Sequence, residues 1–298
     1  MITGKINCVF IGVQKAGTSS FYNWVSQHPS VYGPDAAKDF PFFSNDKFYS
    51  QGEDFLKQFY RNYAGEKIVM HGNVNYFFFK YALERIKADC AKDVKFILIL
   101  RNPVKRAISS YNYGHKLGLE DKSFDEAIKA ELNNEYTSFK DISNKGYIEH
   151  GYYYKYLQEF LQVFDRKQLH VIIFEEMIKS SAQEVKKAFE FLGVDSCFTP
   201  DFKFINETGA PKIRLLNKVL HKDYRFKEII KKSNVFNWLF PINARVQMRK
   251  KIREWNTSVK SNDQKYDEAK LYDFFKNDIA ELEKLIGVDL SIWKTYDK

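Results

Sequence analysis

The segment at residues 6–20 restricts the fold of this chain more than any other. It reads INCVFIGVQKAGTSS, a short apolar run followed by a loop with glycines and by hydroxyl residues that open a helical pattern. Short apolar runs bounded by turn residues are typical of buried strands in parallel sheets. A loop between such a strand and a helix N-terminus presents backbone N–H groups that bind anions. The segment therefore predicts an α/β unit with an anion site after its first strand.

The lysine of this loop does not stand where an ATP-binding loop has it. That loop follows the pattern G-x-x-x-x-G-K-[ST], with the lysine directly after the second glycine. Here Gly12 and Gly17 have the required spacing, but Thr18 follows Gly17 and the lysine is Lys15. A P-loop kinase is therefore the weaker interpretation, since no predicted strand ends in the Walker B-like acidic pattern that this class carries.

Further apolar runs and helical patterns alternate along the chain, which is typical of an α/β fold with a mainly parallel sheet. We predict one domain over residues 1–298, with a central sheet flanked by helices and a helical, basic C-terminal portion at 211–298. A long amphipathic helix is expected before Gly287, with Trp293 packing the tail onto the body. The predicted strands are 9–12, 67–71, 95–100 and 169–174, and the main predicted helices are 18–28, 77–91, 103–118, 152–164, 182–192 and 263–286.

The net charge of +9 is concentrated in one region of the chain. Residues 212–253 carry thirteen Lys and Arg against two acidic residues. Such a region suits an anionic ligand, a polyanion or a membrane surface. Aromatic and basic residues at 231–251 fit peripheral contact with a membrane or an anionic glycan, although a buried turn between charged helices explains them as well.

Cysteine usage and hydropathy indicate a reducing compartment. The cysteines Cys8, Cys90 and Cys197 are widely spaced, and the N-terminus lacks the pattern of a secretory signal. No run reaches the roughly 18 apolar residues that span a bilayer. We therefore expect a cytoplasmic protein.

A second segment supplies groups that suit a phosphate. The strand predicted at 95–100 is followed by Arg101, Pro103 begins the next helix, and Ser109 lies two turns along it. Ligands of open α/β sheets bind at the carboxyl ends of strands. Arginine offers a planar fork that matches phosphate. A structural ion pair at Arg101 is the alternative reading.

Taken together, the two segments resemble the sulfotransferases that use 3′-phosphoadenosine-5′-phosphosulfate (PAPS). The resemblance implies that the first segment, a P-loop-like element, binds the 5′-phosphosulfate and that the second binds the 3′-phosphate. It further implies a loop over the nucleotide near residue 212. The nucleotide-binding residues implied are Lys15, Ala16, Gly17, Thr18, Ser19, Arg101, Ser109, Lys212 and Arg214.

Later segments resemble the carbohydrate branch of that family, including the enzymes that modify heparan sulfate, and point to a soluble, bacterial-like member. Lys38-Asp39 precedes Phe42-Phe43, and Asn75-Tyr76-Phe77 follows. Asp39 replaces the usual Glu of these relatives, and Gly72 stands where several carry Lys. The C-terminal disulfide of the heparan-modifying members is absent, since only Cys197 lies in that region. A heparan acceptor therefore does not follow from the resemblance.

The resemblance implies in-line transfer of a sulfuryl group from PAPS to a hydroxyl or amine of a carbohydrate-like acceptor. Lys15 is expected to stabilise the leaving phosphate, with no metal ion required. Asp39 is the first choice as general base, and His71 is the rival. The acceptor's identity stays open, and a glycolipid or another small molecule is an alternative. A polyanion- or nucleic-acid-binding protein is the non-enzymatic alternative, and a non-catalytic family member is another.

Overall fold

The computed structural model describes residues 1–35, 37–203 and 266–294, together with two short strands further along. The strands are β1 (Cys8–Gly12), β2 (Val31–Tyr32), β3 (Ile68–Gly72), β4 (Lys95–Leu100), β5 (Leu169–Ile173), β6 (Ala210–Pro211) and β7 (Thr257–Ser258). The helices are α1 (Thr18–Ser26), α2 (Asp46–Tyr49), α3 (Gly52–Lys57), α4 (Lys80–Asp89), α5 (Pro103–Lys116), α6 (Phe124–Leu132), α7 (Phe139–Lys145), α8 (Tyr153–Leu161), α9 (Phe174–Lys179), α10 (Ser181–Leu192) and α11 (Glu268–Ile286).

The central sheet contains five strands in the order β2-β3-β1-β4-β5, and every pairing in it is parallel. Strand β1 lies in the middle, with Val9 beside His71 on β3 and beside Phe96 on β4. Both β1 and β3 are buried along their whole length, which explains their continuous apolar runs. The predicted α/β class with a parallel central sheet is confirmed.

The strand order places a crevice at the carboxyl end of β1. The chain passes from β1 to β2 and β3 on one side, and then crosses to β4 and β5 on the other. Where the strand order reverses in this way, the connections leave in opposite directions and open a space above the strand ends. The loops after β1, β3 and β4 border that space, and these are the loops in which the sequence predicted functional residues.

The chain divides into two compact units. The first comprises residues 1–108, 146–205 and 266–298 and contains the five-stranded sheet. The second comprises residues 109–145 and 206–265. Within the second unit, buried Glu120 accepts hydrogen bonds from the Asp121 and Lys122 amides and from the Tyr136 hydroxyl. The interpretation of residues 1–298 as a single domain stays a prediction.

The C-terminal helix α11 packs against α8 in the first unit. Asp278 on α11 accepts a hydrogen bond from the Tyr154 amide at 3.0 Å and thereby supplies an acceptor at the N-terminus of α8. Gly287 ends α11 in the left-handed conformation, as its position in the sequence predicted. Trp293 is fully buried, so the expected packing of the tail is confirmed.

The described residues show the state of the cysteines and the character of the helices. Cys8 and Cys90 are buried thiols, whereas Cys197 is exposed, and all three are free. None of the helices in the described part of the chain has the length and apolar character needed to cross a bilayer.

Candidate active site

Residues 13–17, which we call the anion loop, connect β1 to α1 through a tight turn. Lys15 and Gly17 both have a φ of 72°. A Cβ atom at Gly17 would lie 2.8 Å from Met177 Cε and 3.0 Å from Phe174 Cε2, so only glycine fits there. Among the described residues no side chain caps α1. The first amides of α1 therefore keep hydrogen-bonding capacity for an anion.

Arg101 is joined directly to the anion loop. Its Nη1 donates a hydrogen bond to the Lys15 carbonyl at 2.8 Å, and its guanidinium lies 4.7 Å from the centre of the Phe174 ring. Its Nε is buried and has no hydrogen-bond partner in the part of the chain that the structure describes. Burial lowers the pKa of Arg101, while nearby Glu175 opposes that shift. A phosphate oxygen would supply both an acceptor and a counter-charge for this side chain.

A buried network holds the backbone around Arg101. The Tyr153 hydroxyl donates to the Arg101 carbonyl at 2.9 Å. Glu175, on α9, accepts from the Asn102 amide at 3.0 Å and from Trp293 Nε1 at 3.0 Å. The start of α5, the start of α9 and the C-terminal segment therefore meet behind Arg101, and its position is fixed by residues from three parts of the sequence.

Asp39 lies beside the anion loop in a narrow cleft at the carboxyl ends of β1 and β3. The cleft is partly open to solvent. It brings Thr18, at the start of α1, together with Lys38 and Asp39, which are distant from it in sequence. The residues that line it are Phe10, Gly12, Thr18, Lys38, Asp39, Gly72, Asn73 and Val74. The residues on either side of the anion loop, Gly12 and Thr18, thus line the same cleft as the predicted base.

The backbone at Asp39 is strained and its carboxylate is accessible. Asp39 has a φ of 61°, in the left-handed region, where a residue other than glycine costs on the order of 1–3 kcal/mol. Its side chain is 47% exposed, and Lys38 Nζ lies 2.7 Å from Oδ2. Asn73 Nδ2 donates to the Asp39 carbonyl at 3.0 Å. A strained residue with an accessible carboxylate is typical of functional positions.

His71 lies in a different environment, inside the protein. It is fully buried; its Nδ1 is 2.9 Å from the Tyr60 hydroxyl and its Nε2 is 2.9 Å from the Tyr76 hydroxyl. Burial lowers the pKa of His71 to about 3. Both ring nitrogens are occupied by tyrosines, so this geometry favours Asp39 over His71 as the base. The role predicted for His71 as a rival base has no geometric support.

The remaining predicted site residues are distributed as follows. Ala16, within the anion loop, is fully buried, and Ser19 is half-buried in the first turn of α1. Ser109 is half-buried on α5 and belongs to the second compact unit. Lys212 and Arg214 lie outside the described residues, as does the basic segment at 231–251, so their predicted roles stay predictions.

Several residues that shape the site had no role assigned from the sequence. Phe174 and Glu175 follow β5 directly, and their position after a third buried strand is the signal that could have identified them. Asn73 and Tyr76 belong to the segment after β3 that carried part of the family resemblance. Their contacts with Asp39 and Phe40 join residues more than thirty positions apart in sequence, so they depend on the tertiary fold.

Comparison with known families agrees with this geometry. The family described as "Sulfotransferase domain" matches residues 6–265. The chain belongs to the sulfotransferase family. The match includes the anion loop, Asp39 and Arg101, and it confirms the family resemblance drawn from the motifs.

Individual relatives of this sulfotransferase-family chain include enzymes named for heparan sulfate. Mouse heparan sulfate glucosamine 3-O-sulfotransferase 3B1 is 28% identical over 207 residues, which are 69% of this chain and 51% of the mouse protein. Human bifunctional heparan sulfate N-deacetylase/N-sulfotransferase 2 is 24% identical over 272 residues, which are 85% of this chain and 30% of that protein. The chain thus spans about half, or less, of the length of these relatives.

One solved structure is similar to this chain over nearly the full length of both. The crystal structure of a sulfotransferase from Alicyclobacillus acidocaldarius is 25% identical, with a TM-score of 0.69. The alignment covers 98% of this chain and 99% of that one. The α/β architecture described above is therefore the fold of a bacterial sulfotransferase.

Proposed function

We propose that this chain transfers the sulfuryl group of PAPS to a hydroxyl or amine of a carbohydrate-like acceptor. The proposal rests on one hydrogen bond that joins the two predicted nucleotide-binding segments. Arg101 donates to the Lys15 carbonyl. Asp39 lies in a cleft together with Gly12 and Thr18, the residues on either side of the anion loop. An anion loop, a phosphate-binding arginine and an accessible carboxylate are the groups that sulfuryl transfer from a nucleotide requires.

The donor half of the site fits PAPS. The first amides of α1 and the hydroxyls of Thr18 and Ser19 would hold the 5′-phosphate, because a helix N-terminus favours negative charge. Arg101, with its unpartnered buried Nε, would hold the 3′-phosphate. The participation of Ser109, Lys212 and Arg214 in binding the nucleotide remains part of the proposal without a geometric argument.

The transfer step then follows from the groups around the cleft. The acceptor O–H or N–H loses its proton to the Asp39 carboxylate as the acceptor atom forms a bond to sulfur. The bond between sulfur and the bridging oxygen breaks in line, and its electron pair goes to the 5′-phosphate of the departing adenosine 3′,5′-bisphosphate. Lys15 stabilises the charge that develops on that oxygen. Lys38 pairs with Asp39 before the reaction and keeps a counter-charge next to the base.

The proposal of a carbohydrate acceptor rests on the activities for which the relatives are named. Both a 3-O-sulfotransferase and an N-sulfotransferase are among them, so a sugar hydroxyl and a sugar amine both remain within the proposal. The short carboxylate of Asp39 and the glycine at position 72 distinguish this chain from the pattern of the heparan branch, so we propose a carbohydrate without naming heparan. The relatives give no support to a glycolipid acceptor or to membrane contact. Cytoplasmic location stays a proposal from cysteine usage.

The proposal is tested by incubating the protein with PAPS labelled in its sulfuryl group and a panel of sugars. The panel should contain free and N-acetylated glucosamine saccharides, so that hydroxyl and amine acceptors are separated. We expect labelled product with at least one sugar and stoichiometric formation of adenosine 3′,5′-bisphosphate. Salt-sensitive DNA binding without release of the bisphosphate from PAPS would favour the polyanion-binding alternative instead.

A further inference from the structure

One buried hydroxyl, that of Tyr76, is hydrogen-bonded to the segment that carries Asp39. Tyr76 lies in a single helical turn shortly after β3 and is completely buried. Its hydroxyl donates to the Phe40 carbonyl at 2.9 Å and accepts from the Phe43 amide at 3.2 Å. One side chain thus fixes two points of residues 38–43, which we call the base segment.

The third partner of this hydroxyl is His71. His71 Nε2 lies 2.9 Å from it. The Tyr76 hydroxyl has one proton, and the Phe40 carbonyl can only accept, so the hydroxyl is fully satisfied when Nε2–H donates to it. A neutral imidazole then accepts at Nδ1, where the Tyr60 hydroxyl lies 2.9 Å away. In this tautomer the Tyr76 proton is left for the Phe40 carbonyl.

Asp39 needs such a hold because its own backbone conformation is unfavourable. Its φ of 61° is strained, and its side chain is about half exposed, so little packing resists relaxation. Asn73 holds the Asp39 carbonyl, and Tyr76 holds the next carbonyl, at Phe40. The Phe43 ring also packs against Tyr76, with ring centres 5.8 Å apart. The strained residue is thus restrained on its C-terminal side by two neighbouring hydrogen bonds.

We propose that Tyr76 is a positioning residue for the reaction, because its hydroxyl holds the base segment and thereby keeps the Asp39 carboxylate directed into the cleft. This inference rests on the proposed function. Tyr76 is buried away from solvent, and its hydroxyl reaches the base segment through the backbone of Phe40 and Phe43. Loss of its hydroxyl therefore affects the placement of the base and leaves the anion loop in place.

The chain offers a matched control for this hydroxyl. Tyr60 is also buried, and its hydroxyl likewise contacts His71 and one backbone carbonyl. That carbonyl belongs to Met70, inside β3, so the Tyr60 hydroxyl makes no hydrogen bond to the base segment. Tyr76→Phe and Tyr60→Phe therefore each remove a buried hydroxyl beside the same histidine, and of the two only Tyr76→Phe removes hydrogen bonds to the base segment.

The test compares the kinetics of Tyr76→Phe and Tyr60→Phe, using labelled PAPS and the sugar acceptor on which the unaltered protein is most active. We expect kcat to fall about 10- to 100-fold in Tyr76→Phe, because small displacements of a catalytic group have effects of this size. The KM for PAPS should change less than about twofold, since uniform binding of the donor is untouched. Tyr60→Phe should lower the thermal midpoint by a similar amount and keep kcat. Equal kcat in Tyr76→Phe and the unaltered protein, or an equal loss in both variants, would overturn the inference.

Hydrogen exchange gives a readout that does not depend on turnover. The Phe43 amide should be protected in the unaltered protein and should exchange faster in Tyr76→Phe, whereas Tyr60→Phe should leave it protected. Rapid exchange of the Phe43 amide in the unaltered protein would contradict the hold, even if Tyr76→Phe failed to fold. If the Phe43 amide is protected in the unaltered protein, but that protein neither binds adenosine 3′,5′-bisphosphate nor consumes PAPS, the proposed function is refuted. The catalytic part of this inference is then refuted as well, whereas the hydrogen bonding of Tyr76 to the base segment stays established.

Discussion

One cleft is lined by the two residues that flank the anion loop and by the start of the base segment, but the loop and the segment are held in different ways. The anion loop follows a central strand directly, and a glycine, a helix N-terminus and Arg101 fix it. The base segment lies outside the regular elements, and the side chains of Asn73 and Tyr76 hold its carbonyls. In the proposed reaction the first region binds the donor and the second activates the acceptor. In that reaction, the region that would bind the nucleotide follows a strand of the sheet directly. The region that would meet the acceptor is held in place by side chains from the segment after β3.

The sharpest way to test this division is to remove the carboxylate of the base segment. Asp39→Asn should lower kcat about 10²- to 10⁴-fold, because the acceptor loses its proton acceptor. The affinity for adenosine 3′,5′-bisphosphate should stay within about twofold, since the donor groups are intact. Rate measurements with labelled PAPS and calorimetric titration check the two statements separately. If Asp39→Asn retained full kcat, the base would have to be sought elsewhere.

The corresponding change in the anion loop is Lys15→Ala. We expect kcat to fall about 10²- to 10³-fold, the usual effect of removing one donor that stabilises a developing negative charge. Lys57→Ala provides a control, because Lys57 is an exposed lysine on α3 that forms an ion pair with its neighbour Asp54. The control should keep the unaltered rate. Full turnover by Lys15→Ala would show that the displaced lysine of this loop has no part in the transfer step.

The two regions should also differ, by a smaller effect, in how their stability depends on pH. The folded chain protonates His71 only near pH 3, whereas the imidazole of an unfolded chain takes up a proton near pH 6.5. The folded form thus binds fewer protons between these values, so the free energy of unfolding falls as the pH falls below 6.5, by at most about 1.4 kcal/mol per pH unit for this group. Asp278 opposes this trend between about pH 6 and 4, because burial raises its pKa to about 6.

The variant His71→Gln keeps a hydrogen-bonding side chain without a group that titrates. Denaturant unfolding between pH 7 and 5 should therefore show a shallower pH dependence than in the unaltered protein. A parallel measurement of hydrogen exchange should show earlier loss of protection at Phe43 than in residues 13–17 as the pH falls. An unchanged slope in His71→Gln would mean that His71 does not titrate as its buried position requires.

The same contrast explains how much could be predicted from the sequence. The bounds of β4 agree with the predicted strand at 95–100, and α5 begins at Pro103 as expected, because continuous apolar runs and helix-starting prolines are local signals. The two-residue strand β2 and the short helices α2, α3 and α9 have no periodicity long enough to detect. They form because neighbouring elements pack on them or pair with them.

Within the site, the residue types at strand ends were predictable and their connections were not. Lys15, Asp39 and Arg101 stand in recognisable patterns after predicted elements. The hydrogen bond from Arg101 to the Lys15 carbonyl, the packing of Arg101 on Phe174, and the hydrogen bond from Tyr76 to Phe40 join residues from separate parts of the chain. The assignment of His71 as a possible base failed to anticipate its burial, because burial depends on the tyrosines that pack around it.

The central claim is that the anion loop and Arg101 together bind the nucleotide donor, and titration calorimetry with adenosine 3′,5′-bisphosphate tests it most directly. The unaltered protein should bind with one-to-one stoichiometry. Arg101→Ala should bind about 10- to 100-fold more weakly, the usual loss for a hydrogen-bonded charge. Absence of binding by the unaltered protein, or unchanged affinity in a folded Arg101→Ala, would contradict the claim.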